Sequence, residues 1–87
     1  MTDKEQSAIQ GFDPDYAGKR AECDGGGFIE GTHMAGRQEF TGTLTGDYTE
    51  QGNPPWRWYL MTNLEKKPPQ WEHEAVWCLQ GNLYLEE

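Results

Sequence analysis

The stretch Pro54-Pro55-Trp56-Arg57-Trp58-Tyr59-Leu60-Met61 is the densest apolar run in the chain, and its reading decides the fold. Proline has no N–H to give a ladder, so residues 49–55, with Gln51-Gly52-Asn53 before the prolines, read as a loop. Beyond the loop, alternation places Trp56, Trp58, Leu60 and Thr62 on one side of a strand and Arg57, Tyr59, Met61 and Asn63 on the other. Both sides carry large side chains. A strand apolar on both sides is usually covered on both, here by the N-terminal arm or by a second subunit.

Its counterpart is Trp71-Glu72-His73-Glu74-Ala75-Val76-Trp77-Cys78-Leu79, and the two stretches together hold all four tryptophans. Trp71, His73, Ala75, Trp77 and Leu79 alternate against Glu72, Glu74, Val76, Cys78 and Gln80. Abundant Val and Trp, and a glycine close behind, favour a strand over a helix across residues 70–80. Residues 63–69, ending in Pro68-Pro69, read as a connecting loop. Gln80-Gly81-Asn82 signals a turn, after which Leu83-Tyr84-Leu85 closes a final hairpin.

Working outward, residues 38–48 also alternate. Phe40, Gly42, Leu44, Gly46 and Tyr48 share one side; Glu39, Thr41, Thr43, Thr45 and Asp47 share the other, the pattern of a half-buried strand with a threonine solvent face. Residues 28–33 form an earlier strand candidate and residues 34–37 a turn. Gly25-Gly26-Gly27 reads as a flexible joint, because it lacks the Gly-Lys-Ser/Thr ending and the following helix of a phosphate cradle. Residues 1–24 read as an irregular arm, with one helical turn or a frayed end over residues 4–10, and with Phe12 and Tyr16 pinning the arm to the core. The sequence therefore predicts an all-β or mostly β chain: a small antiparallel sheet of about five strands, curled into a partial barrel or sandwich over residues 25–87.

Composition bounds what such a chain does. At 87 residues it makes one domain, and only 34% of residues are hydrophobic, so the 13% that are aromatic must supply much of the core. A net charge of −8 repels phosphate backbones and anionic membranes, which disfavours nucleic-acid and membrane partners. The N-terminal residues have no apolar signal segment, and no stretch is long enough to span a bilayer, so the expected location is cytoplasmic. In that reducing compartment Cys23 and Cys78 are expected as free thiols; the single intrachain pairing open to them is the alternative.

The residues for chemistry are sparse. Neither His33 nor His73 is tied by any local pattern to Cys23 or Cys78, and on a strand His73 and Cys78 face opposite ways, so a thiol–imidazole pair is disfavoured. The same four residues lack the close ligand pairs of a structural zinc site. Asp13, Asp15, Gly18 and Asp24 mimic parts of a calcium loop, but Ala17 stands at a ligand position and the bidentate glutamate is missing. No cofactor or metal is expected, and Glu72 and Glu74 read as surface glutamates. The aromatic set is the strongest signal. Trp56, Arg57, Trp58, Tyr59, Met61, Trp71, His73, Trp77 and Tyr84 are the candidate binding residues, since Trp, Tyr and Arg anchor interfaces. The leading expectation is a non-enzymatic module that binds a protein, most simply itself as a homodimer. The alternatives are a β-barrel whose Trp/Tyr-lined pocket takes a planar or sugar-like ligand, and an acidic nucleic-acid mimic that inhibits an enzyme with a basic groove.

Overall fold

A computed structural model of the chain describes residues 9–29, 32–34, 38–52 and 54–86. The elements run β1 (Gly11–Phe12), β2 (Arg20–Asp24), β3 (Gly27–Ile29), β4 (Thr32–Met34), β5 (Glu39–Gln51), β6 (Trp56–Lys66), β7 (Val76–Leu79), a 3-10 turn (Gln80–Asn82) and β8 (Leu83–Leu85). Every strand pairing is antiparallel, and the order across the sheet is β4-β3-β7-β6-β5-β2-β8, with β1 pairing β5 off this path. The chain is thus all-β, in one antiparallel sheet that is not closed into a barrel. The expected turns at residues 4–10 and 34–37 lie largely outside the described residues.

The open sheet still curls tightly. β7 and β8 are joined only by the turn at Gln80–Asn82, yet β6, β5 and β2 lie between them in the hydrogen-bonded order. A link that short requires the sheet to roll until its two halves nearly meet. Curvature is placed by two bulges in the β5–β6 hairpin. Leu44 to Tyr48 on β5 lies against Met61 to Tyr59 on β6, which gives β5 two extra residues; Thr41 to Thr43 lies against Lys66 to Thr62, which gives β6 two. Each bulge holds a residue with positive φ, Gly46 at 97° and Asn63 at 51°. A Cβ on Gly46 would stand 2.7 Å from Phe12, 2.9 Å from Ala17 and 3.1 Å from the Asp13 carbonyl, so glycine is demanded there by space as well as by φ.

The first bulge explains the N-terminal segment. β1 and β2 run along the same edge of β5, and residues 13–19 leave that edge where β5 bulges. Asp13 N–H donates to the Gly46 carbonyl and Gly18 N–H to the Leu44 carbonyl, each at 2.8 Å. The loop between them folds over the inner face, where Tyr16 stacks on Tyr59 with ring centroids 4.0 Å apart and planes 8° off parallel. Tyr16 therefore pins the arm as expected. Phe12 does not, and is 58% exposed. Nor is the segment irregular to residue 24: β2 is paired on both sides, by β5 and β8. Its inward residues, Ala21 and Cys23, are buried but small, so the alternation gives little signal.

The inner face is the core, built from Ala21, Cys23, Phe40, Leu44, Tyr59, Met61, Val76 and Cys78, with Trp71 laid across them. Three expectations change here. Residues 71–75 are not strand; β7 begins at Val76, and Trp71 sits in the preceding loop, its N–H bonded to the Pro68 carbonyl at 3.0 Å and its indole N–H to the Ala75 carbonyl at 3.2 Å. β6 continues through Asn63 to Lys66, because the bulge at Asn63 absorbs what looked like a loop. β8 forms no hairpin with β7; it pairs Leu83 with Cys23, Tyr84 with Glu22 and Leu85 with Ala21 on β2.

Candidate functional site

The sheet's outer face divides in two. Over β3, β7 and β6 it is aromatic. Phe28 lies opposite Trp77 and Trp77 opposite Leu60, while Leu79 lies opposite Trp58 and Trp58 opposite Thr49. Cross-strand partners share a face, so these residues form two adjacent rows. The Phe28 and Trp58 rings meet edge to face at 4.9 Å, and Phe28 stacks toward Trp77 at 6.5 Å. Trp56, two residues before Trp58 and on the same side of β6, is 59% exposed.

Over β5, β2 and β8 the outer face is polar. Glu22 lies between Thr41 and Tyr84, and Asp24 opposite Glu39. A pocket of about 80 Å³ is lined there by Glu22, Cys23, Asp24, Glu39, Phe40, Thr41 and Tyr84. Around it the cations are held in ion pairs: Lys66 with Glu39 at 2.7 Å, and Arg20 with both Glu65 and Glu86. Glu65 holds the Arg20 guanidinium above its ordinary pKa, Glu86 adding to the effect, and Arg20 in turn draws the Glu65 carboxyl down. Glu39 likewise raises Lys66. These are solvent-facing pairs, which set charge pattern more than stability.

The candidate residues are therefore dispersed. Tyr59 and Met61 are fully buried on the inner face and cannot line a surface, which corrects their assignment to the contact set. Strand parity was right, but the covering arm seals that side of β6. The Tyr59 hydroxyl donates to the Asp13 carboxylate at 2.9 Å; burial pushes its pKa up, the Asp13 charge adds to this, and Arg57 opposes it. That carboxylate also accepts the Asp15 N–H, so it closes the arm loop and is engaged by the chain itself. Arg57 lies 3.9 Å above the Tyr48 ring and 2.8 Å from Glu50. Trp71 is buried against Phe40, with centroids 5.2 Å apart, and His73 packs edge-on to Trp71 at 5.3 Å. Both belong to the core and its lid. Trp77 is 5% exposed and forms the floor of the outer cluster. Tyr84 stands 61% exposed at the polar end, away from the tryptophans.

What the structure brings together is Trp58 and Trp77, joined through Phe28, with Trp56 two residues along the same side of β6. Only the β3–β7 register reveals Phe28, which sits in a short strand behind three glycines. Two polar atoms at this place are sealed from solvent and have no hydrogen-bond partner among the described residues, the Trp58 indole N–H and the hydroxyl of Thr49 opposite it. Such orphans are uncommon in folded chains. Comparison with family models, with curated proteins and with solved structures finds no match to this chain.

Proposed function

We propose that this chain is a non-enzymatic binding module whose contact surface is the aromatic half of the outer face, with a second copy of the chain as its first partner. The observation that carries the reading is Trp56: a tryptophan 59% exposed, two residues along the same side of β6 from Trp58, whose ring packs on Phe28. Large rings at the centre of a desolvating contact dominate binding energy. The ligand-pocket reading draws less support. The inner face is filled by the protein's own Phe40, Leu44, Tyr59, Met61 and Trp71, and the pocket beside Tyr84 is well below the roughly 300 Å³ at which small-molecule sites begin. The acidic-mimic reading is weakened by the pairing of Glu39, Glu50, Glu65 and Glu86 with internal cations.

Sedimentation equilibrium over a range of concentrations tests the proposal. The expected result is a mass rising from 10.0 kDa toward its double, little changed by salt. Trp56→Ala is expected to weaken association by about 30-fold, the effect of losing an interfacial anchor. A strict monomer at the highest concentration would overturn self-association. Association that falls steeply with salt and ignores Trp56 would transfer the contact to the acidic half.

A further inference from the structure

Cys23 and Cys78 are far apart in sequence and meet in the core. Both are fully buried members of one cluster, Cys23 beside Phe40 and Cys78 beside Tyr59 in their strand pairings. The glycines between β2 and β3 bring them together. The Cys23 thiol donates to the Gly26 carbonyl at 3.5 Å, and the next residue, Gly27, is the strand partner of Cys78. The Cys78 thiol donates to the Val76 carbonyl at 4.0 Å, and the neighbouring Cys23 thiol together with burial pushes the Cys78 thiol well above its usual pKa. Both are free.

Their place in the sheet gives the contact a consequence. β2 and β7 are separated by β5 and β6 in the hydrogen-bonded order, and among the described residues no ladder closes the sheet. A bond between Cys23 and Cys78 would cross the inner face and supply the closure the ladders leave out.

We propose that Cys23 and Cys78 form a redox-sensitive clasp that joins β2 to β7 on exposure to a low-molecular-weight disulfide. One cysteine thiolate attacks the disulfide, forming a mixed disulfide and releasing one small thiolate. The second cysteine thiolate attacks the protein sulfur of that mixed disulfide and expels the other small thiolate. The protein loses two electrons and two protons, and the small disulfide becomes two thiols. Because both sulfurs are sealed, reaction waits on local opening. β8, an edge strand of three residues bonded to β2, is the element whose release uncovers Cys23. Closing the long loop between residues 23 and 78 restricts the unfolded chain, so the clasped form is the more stable one.

The test uses the full chain in native buffer with oxidised glutathione, read by intact mass and peptide mapping. The expected product is a monomer lighter by two hydrogens, with a Cys23–Cys78 linked peptide, no free thiol, and a melting temperature raised by on the order of 10 °C that dithiothreitol reverses. Cys23→Ala and Cys78→Ala should each end as a single glutathione adduct with no rise in melting temperature. Stable double adducts on the wild type, thiols that stay unreacted in native buffer, or a linked peptide found only in guanidinium would each overturn the clasp. These outcomes are read on the wild-type chain and stand even if the variants fold poorly. They are also independent of Trp56 and of the subunit count.

Discussion

β6 presents two aromatic surfaces one residue out of phase, and they have opposite fates. Tyr59 and Met61 point inward, reach full burial, and meet a covering loop whose Asp13 carboxylate accepts the Tyr59 hydroxyl. Trp56 and Trp58 point outward, where one indole stays exposed and the other is half-buried, its N–H sealed and unpaired among the described residues. The larger rings are on the less finished side. Ring size did not decide which face became the core. The cover did, and the cover comes from residues 13–19, which the bulge at Gly46 lets across the inner face. Among the described residues, the inner face is completed within the chain and the outer is not.

If that contrast is right, the largest loss follows from opening the inner face. Trp71→Ala removes a fully enclosed ring that packs on Phe40, and about 3–5 kcal/mol of stability should go with it, measured by urea unfolding. For a domain this small that is much of the whole. A loss no larger than for Trp56→Ala would break the comparison, since exposed positions usually change stability by no more than about 0.5 kcal/mol. Next is the bulge. Gly46→Val forces a β-branched side chain into positive φ and into Phe12, Ala17 and the Asp13 carbonyl. A cost of about 2–3 kcal/mol is expected from strain and overpacking. Gly81→Ala, with nothing near its added Cβ, should stay close to neutral.

The sequence carries the architecture further than it carries the faces. The alternation of Phe40, Gly42 and Leu44 is visible in the residues and holds in the structure. Tyr48 keeps that side beyond Gly46, where it lies opposite the inward Tyr59, because the bulge adds two residues and so preserves the parity. No local pattern announces the bulge itself, because it admits a loop more than twenty residues upstream. Residues 71–75 fail for a related reason. Their alternation is real, but Trp71 plugs the core from a loop fixed by Pro68 and Ala75, and apolar period alone cannot separate a plug from a strand. β2 hides because its inward side chains are Ala21 and Cys23. The outer cluster was half legible: Trp56, Trp58 and Trp77 stand out by type, whereas Phe28 joins them only through the pairing of β3 with β7.

A pH series sharpens the contrast at Tyr59. Its pKa is raised in the folded chain, so the fold holds the phenol proton more tightly than the unfolded chain does. That stabilisation is complete below the ordinary tyrosine pKa of about 10 and is lost as pH rises through the folded value, with a slope of up to about 1.4 kcal/mol per pH unit. Tyr59→Phe should remove this group's share of the alkaline slope and cost about 1–2 kcal/mol at neutral pH, because Asp13 Oδ2 loses its donor while Oδ1 keeps the Asp15 N–H. An unchanged slope in the variant would assign the alkaline loss to other groups.

The smallest expected effect lies one residue away and tests the contrast most directly. Trp58→Phe deletes an N–H that has no acceptor and is already out of water, so the hydrogen-bond ledger improves by about 1–3 kcal/mol while some ring contact with Phe28 is lost. The two terms nearly cancel, and the unfolding midpoint should move little. Two adjacent aromatic-to-phenylalanine changes on one strand would then differ in outcome because one polar atom is satisfied inside the chain and its neighbour is not. A loss at Trp58 equal to that at Tyr59 would mean the outer face is as finished as the inner, and the case for a partner there would go with it.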